Sequence, residues 1–317
     1  MTTEILSPAS AATGDKVAIS IVICTIERSG REERLAQVIR NLQRQEKVDV
    51  EIVLVWQGFD PALFPRIDGV TTVITDLCSS AQSRNIGAEY THHDLIAFYD
   101  DDVFPVEPDQ LYRTARMLDE RGLDFIVNNI KSEGDVMSGG RISQDIVFSF
   151  KTLLNNMWEP GLMVRRKAFF DTQFDSTLGI GCIHGSSEGM AFGYRLLKAG
   201  YKGQRVASLY IDHPPLDDNM SVNIERNFFY SLGNGAALLQ HGYRYMYVRA
   251  LFRAFARMMV SLATGKKQRA KTSFVRILCL MAGPFLPRNN ARLLPRNYIK
   301  APAYVLPPLA EPTPELS

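Results

Sequence analysis

No stretch of about 18 apolar residues free of charge occurs in the chain, so no membrane-spanning helix is expected. The first 16 residues are small and polar, without an apolar core of signal-peptide kind, and read as a disordered tail. Cysteine is scarce. The four present, Cys24, Cys78, Cys182 and Cys279, are widely spaced; none has zinc-ligand spacing and no disulfide framework can be drawn, which fits a reducing cytoplasm. Internal repeats and long low-complexity tracts are missing too. Acidic residues are almost lacking from the C-terminal part. From Asn223 to Ser317 there are 14 Lys+Arg and 3 Asp+Glu, a balance of +11, whereas the remainder has 22 basic and 31 acidic residues, or −9. An acidic body with a basic C-terminal segment suggests contact with an anionic surface. No nucleic-acid reader motif accompanies it, so a membrane surface is the expected partner and nucleic acid is not.

What is present centres on Leu95-Ile-Ala-Phe-Tyr-Asp-Asp-Asp-Val-Phe-Pro105. The run Leu95 to Tyr99 has strand length and β-friendly composition, and Asp100, Asp101 and Asp102 end it. Three adjacent carboxylates repel each other unless a cation sits among them. The residues alone allow a solvated acidic turn or a site for Mg²⁺ or Mn²⁺, which take hard oxygen ligands. Upstream, Val17 to Cys24, Val50 to Trp56 and Val70 to Thr75 read as strands. Between them a helix carries Leu35, Val38, Ile39 and Leu42 on one face, with Ser29 and Glu32 at capping-box spacing, and a second helix spans Ser79 to Tyr90. This β-α-β order predicts an α/β fold with a parallel sheet. Ligands of such sheets sit at the carboxyl ends of the strands, where Thr25–Arg28, Gln57–Asp60 and Asp100–Asp102 all fall.

Downstream, Asp109 is expected to cap a helix that Gly122 ends, Phe125 to Asn128 to form a strand, and Lys131 to Gln144 a mobile loop. Trp158-Glu-Pro-Gly-Leu-Met-Val164 leads into a strand. The loop from Gly179 to Glu188 is glycine-rich but lacks the third glycine of a dinucleotide fingerprint. Glu188 opens a helix that ends at Gly200, and Val206 to Ile211 is a strand ending at Asp212-His213. Beyond about Asn219 lie apolar helical stretches with Arg249, Arg253 and Arg257 on one stripe. The stripe suits either an anionic leaflet or a solvent-facing side of helices docked on the main domain.

Six segments, in order between residues 17 and 215, resemble the family 2 glycosyltransferases, inverting enzymes with a GT-A fold that use sugar nucleotides. They are Ile21-Val-Ile-Cys-Thr-Ile-Glu-Arg28, Glu51-Ile-Val-Leu-Val-Trp-Gln-Gly58, Ala81-Gln-Ser-Arg-Asn-Ile-Gly87, Asp100-Asp-Asp102, Gly161-Leu-Met-Val-Arg-Arg166 with Phe174-Asp175, and Glu188 through Gly200. The resemblance implies a nucleotide-binding half over residues 17–105 and an acceptor-binding half over 106–218. A basic amphipathic helical region (219–300) and a Pro-rich tail (301–317) would follow. It implies that Asp102 and His213 hold Mg²⁺ or Mn²⁺, that Asp100 and Asp101 bind the donor, and that Glu188 is the base. Thr25, Glu27, Arg28, Gln57, Arg84 and Asn85 would bind or frame the nucleotide, with weaker acceptor roles for Trp158 and Asp175. A helix N-terminus would keep Glu188 ionised. Two departures stand out. Gly189 follows Glu188 where the family often has Asp, leaving Glu188 alone, substitution by Asp175 or Asp212, or an impaired enzyme. Gln57 replaces an Asp that usually accepts from the base, though a Gln carbonyl can accept too. The implied reaction is transfer from a nucleotide-diphosphate sugar to a saccharide or lipid-linked acceptor, at the inner face of the cell membrane. The alternatives are a non-catalytic partner of the same fold and a sugar nucleotidyltransferase, whose basic glycine-rich loop is missing after Cys24.

Overall fold

The structure, a computed structural model, describes residues 16–27, 30–58, 60–75, 79–131, 141–213, 223–288 and 304–305. Arg28, Ser29, Cys78, most of the 131–144 loop and most of both tails therefore lie outside the described residues. In chain order the elements are β1 (Val17–Ile26), α1 (Glu32–Gln43), β2 (Val48–Gln57), β3 (Val70–Thr75), α2 (Ser80–Glu89), β4 (Leu95–Asp100), β5 (Phe104–Pro105), α3 (Gln110–Glu120) and β6 (Phe125–Ile130). Then come β7 (Ile146–Val147), β8 (Leu162–Arg165), α4 (Arg166–Thr172), α5 (Glu188–Lys198), β9 (Gly203–Asp212), α6 (Ile224–Gln240), α7 (Arg244–Ala263), α8 (Lys267–Ala282) and β10 (Tyr304–Val305). The class is the expected one: a Rossmann-like α/β sheet flanked by helices, followed by a helical C-terminal region.

The sheet runs β10-β3-β2-β1-β4-β8-β6-β9-β5, with β7 also on β9. Strands β3, β2, β1 and β4 are mutually parallel. Strand order reverses at β1, and the crevice between β1 and β4 is where such sheets bind ligands. β8 runs antiparallel to both β4 and β6, an inversion that apolar composition could not signal. β1 is apolar on both faces because both are covered. Ile19, Ile21 and Ile23 pack with Leu35, Val38, Ile39 and Leu42 of α1, while Val22 joins Val53, Val55 and Ala81 on the other face.

Helix α2 lies close against that second face. A Cβ on Gly87 would come 2.8 Å from Val55 Cγ2 and closer still to Val22 Cγ1. Gly87→Val therefore has to push α2 off the sheet, at a cost of about 1–3 kcal/mol. A thermal melt should show Tm lowered by roughly 2–4 °C per kcal/mol, and a variant that melts like the parent would contradict this packing.

Two local expectations are corrected. Arg31 is the N-cap of α1, and neither Arg31 nor Asp109 makes a side-chain capping bond. Part of the expected Pro-rich tail, Tyr304–Val305, adds antiparallel to β3 at the sheet edge. The C-terminal helices dock on the main domain. Cβ atoms on Gly233, Gly235 and Gly283 would meet the backbones of Ser186, Leu280 and Leu232, so α6 touches both the loop before α5 and the end of α8 at backbone distance. His184, fully buried, shares a 2.9 Å hydrogen bond with the Gly283 carbonyl.

Candidate active site

The carboxyl ends of β1, β2 and β4 meet because these strands are neighbours: Ile26 is level with Gln57, and Cys24 with Asp100. The three aspartates project there, each with an arginine. Arg84 Nη2 donates to Asp100 Oδ1 at 2.7 Å. Arg31 Nη1 donates to Asp101 Oδ1 at 2.7 Å and lies 3.0 Å from Asp102 Oδ2. Thr25 Oγ1 donates to the other Asp101 oxygen at 2.6 Å. Asp101 is thus buried and fully engaged. Asp102 is different. Burial, aided by Asp100 and Asp101, pushes its carboxyl above the usual range against the pull of Arg31 and His213. A carboxylate in that state gains from a further cation.

β5 pairs with the end of β9, setting Phe104 level with Asp212, and so brings His213 into electrostatic reach of Asp102. Arg34 spans the same corner, donating to Asp212 Oδ2 at 2.8 Å and to the Asp102 carbonyl at 3.1 Å. Among the described residues, no three His, Cys, Asp or Glu side chains group closely enough to hold a metal by themselves. Asp102 and His213 instead offer an oxygen and an imidazole nitrogen, a set suited to Mn²⁺ or Mg²⁺ shared with ligand oxygens.

The other expected donor-site residues make hydrogen bonds within the chain. Gln57 is buried; its Nε2 donates to the Thr25 carbonyl at 3.2 Å and its Oε1 accepts from the Ser79 N–H at 3.0 Å, tying β1 to the start of α2. The Asn85 amide exchanges two 2.9 Å hydrogen bonds with the backbone of Phe174. Glu27 accepts from the Asp60 N–H at 2.9 Å. Arg84 is buried, and its Nη1 has no hydrogen-bond partner among the described residues. Despite its burial, the charges of Asp100, Glu159 and Glu188 hold its pKa above the ordinary arginine value. It has one charged donor to spare.

Helix α2 bridges the crevice. Arg84 holds Asp100 on one side; Ser80, one turn earlier, donates to Glu188 Oε1 at 2.9 Å on the other. Glu188 is buried as the first residue of α5, and Ser187 before it is left-handed (φ 74°) with its hydroxyl donating to Asn234 of α6 at 2.9 Å. Gly179 is left-handed (φ 97°), and a Cβ there would lie 2.8 Å from Glu188 Cδ. Only glycine allows the loop so close. α5 is pinned to β4 by rings: Phe192 stacks on Phe174 at 4.3 Å, and Phe174 meets Phe98 edge-on at 5.4 Å.

Glu188 has a carboxylate neighbour that sequence reasoning missed. A Cβ on Gly189 would lie 2.6 Å from Glu159 Cδ and closer still to its Oε1. Glu159 therefore fills the space beside Glu188 that any larger residue 189 would take. Burial first, and the Glu188 charge second, push the Glu159 carboxyl up to about 7. The only local hint was the glycine after Glu188. Arg31 was missed as well, because its partners lie about seventy residues away. Trp158 is half-buried between the two core clusters. Asp175 is held below the usual carboxylate range, against burial, by hydrogen bonds from Thr177 and by Arg195 and Arg288. A pocket of about 250 Å³ next to the glycine-rich loop is lined by Cys182, Asn223, Arg226 and Tyr230 among others. Glu188 and Glu159 lie close enough to Tyr230 to help burial raise its pKa.

No known family and no curated protein matches the chain by sequence. Solved structures do match. The mannosyltransferase PcManGT from Pyrobaculum calidifontis, in complex with GDP-Man and Mn²⁺, aligns at a TM-score of 0.57 and 12% identity over 84% of this chain and 87% of that one. The chain has that fold. TarS 1–349 from S. aureus in complex with UDP aligns at a TM-score of 0.51 and 12% identity, over 84% and 91%. A further TarS structure is covered over 44% of its length, at a TM-score of 0.47.

Proposed function

We propose that this chain is an inverting, metal-dependent glycosyltransferase of the family 2 kind. It would move a sugar from a nucleotide-diphosphate donor to a hydroxyl of a saccharide or lipid-linked saccharide, in surface polysaccharide or glycolipid synthesis. The observation that carries this reading is the pair of opposed charge clusters that α2 bridges: Asp100–Asp102 with their arginines on one wall, Glu188 with Glu159 on the other. The complexes of the two structural neighbours, GDP-Man with Mn²⁺ and UDP, point to the same ligand class. Asp102 and His213 would hold Mg²⁺ or Mn²⁺, which neutralises charge on the departing diphosphate as a Lewis acid. Arg84 Nη1 and Arg31 would add donors to the same oxygens. Glu188 would remove the proton of the attacking hydroxyl, and the Tyr230 pocket is a better acceptor candidate than Trp158 or Asp175. No described helix is long and apolar enough to cross a membrane; the basic α7–α8 region would instead hold the chain at the inner face of the cell membrane.

A non-catalytic partner protein is the second reading, and Gly189 is what favours it. Donor hydrolysis separates the two. A panel of UDP-, dTDP- and GDP-sugars with Mn²⁺ should include one that the chain hydrolyses slowly, with the rate abolished by EDTA and restored by metal. Hydrolysis of none, or a rate indifferent to EDTA, would remove the metal-dependent mechanism.

A further inference from the structure

A groove of about 850 Å³ lies away from the strand ends, beside α7 and α8. Arg249, Arg253 and Arg257 of α7 line it, with Lys266, Arg269 and Arg276 opposite. No carboxylate lines it, and the sequence from Arg226 to Ala310 contains neither Asp nor Glu. Arg249, Arg253, Arg269 and Arg276 make no ion pair among the described residues. Burial and then the charges of Arg257 and Arg253 lower the pKa of Arg276, so the cluster is held together against its own repulsion. Asn155 and Asn234 add neutral polar groups to the wall.

Beside the cationic stripe runs an apolar one. Val248, Phe252, Phe255, Met259 and Leu262 of α7 are all exposed, Phe252 by 70%. At 3.6 residues per turn their mean direction lies about 140° round the helix from that of Arg249, Arg253 and Arg257, with Phe252 at the near edge. Phe274, Leu278 and Met281 of α8 and Phe285 after it, 84% exposed, extend the apolar surface. An anion with no hydrocarbon attached would make no use of these rings; a lipid phosphate uses both stripes. Arginine forks match phosphate oxygens bidentately.

We propose that this groove binds the phosphate group of a membrane lipid headgroup, with the neighbouring rings seated in the bilayer interface. The proposal rests on the membrane reading above and narrows it from a charged surface to a built site. Asn234 both lines the groove and accepts the Ser187 hydroxyl hydrogen bond at the start of α5, so a bound headgroup lies directly behind the helix of Glu188.

The test is co-sedimentation of the full chain with phosphatidylcholine vesicles, with and without phosphatidic acid. Binding should require phosphatidic acid. It should weaken at least about tenfold in Arg253→Ala and in Arg276→Ala, each a lost charge-assisted contact, and recover in part with Arg276→Lys. Lys267→Ala and Lys271→Ala remove exposed charges outside the groove and should weaken binding far less. Thermal shift with the nucleotide donor should stay unchanged in all of these variants, which shows that they are folded. Equal losses in the groove and control variants would overturn the groove and leave a diffuse membrane surface. Absence of vesicle binding with inorganic pyrophosphate still protecting the chain would mean a free-anion site and overturn the lipid. Tighter binding of an oligonucleotide, lost in the same variants, would overturn it as well.

Discussion

Glu188→Gln is expected to lower sugar transfer by about 10²–10⁴-fold with little change in donor affinity, the range for loss of a general base. The Gln keeps the acceptor oxygen for the Ser80 hydroxyl, so the helix start and the loop at Gly179 stay in place. Single-turnover transfer and donor thermal shift together read this out; a parallel loss in both would place Glu188 in binding. Glu159→Gln acts differently. Its carboxyl, raised to about 7 from an ordinary 4.5, keeps its proton in the folded chain over a range where the unfolded chain has lost it. The folded state then binds more protons, so stability falls as pH rises from about 4.5 to about 7. Glu159→Gln removes that loss and should raise Tm at pH 8 more than at pH 5. It should also flatten an acid limb near pH 7 in the transfer rate, where the Glu159 carboxyl loses its proton. If the limb survives unchanged in Glu159→Gln, the second carboxylate has no part in the chemistry.

Asp102→Asn should cost a comparable factor by another route. A Lewis acid at a leaving diphosphate supplies several kcal/mol in the transition state, so roughly 10²–10⁴-fold of rate depends on it. The half-maximal Mn²⁺ concentration should rise with the rate loss. Because the Asp102 carboxyl is raised by burial and by two like charges, its neutral amide relieves repulsion and should leave the fold as stable or more so. Asp101→Asn gives the contrast. That side chain is buried between Thr25 and Arg31, and the amide cannot accept on both sides, so stability should fall along with activity. Unchanged metal dependence in Asp102→Asn would move the metal elsewhere.

Much of this was legible in the sequence because it is local. The apolar runs of β1, β2, β3 and β4, the periodic face of α1, the helical span of α2 and the start of α5 at Glu188 all announce themselves within a dozen residues. So does the convergence of three strand ends, once the sheet is read as parallel. What escaped is what the chain assembles across distance. Arg31 reaches Asp101 from seventy positions away, and Glu159 reaches the side of Glu188 from another loop. The antiparallel setting of β8 follows from connections, not composition. Gln57 shows the converse. Its position at a strand end was clear, but its amide is spent on Thr25 and Ser79, partners that no spacing reveals.

Arg31 and Arg84 neutralise the aspartate corner from within the chain. The repulsion among the three carboxylates is thereby offset by guanidinium groups that the fold itself brings in. The two counter-charges are unequal. Arg84 is buried, whereas the side chain of Arg31 is about half exposed at 51%. If a divalent ion took this corner it would compete with a guanidinium already half in solvent, and an arginine displaced that way would stay within reach of incoming phosphates.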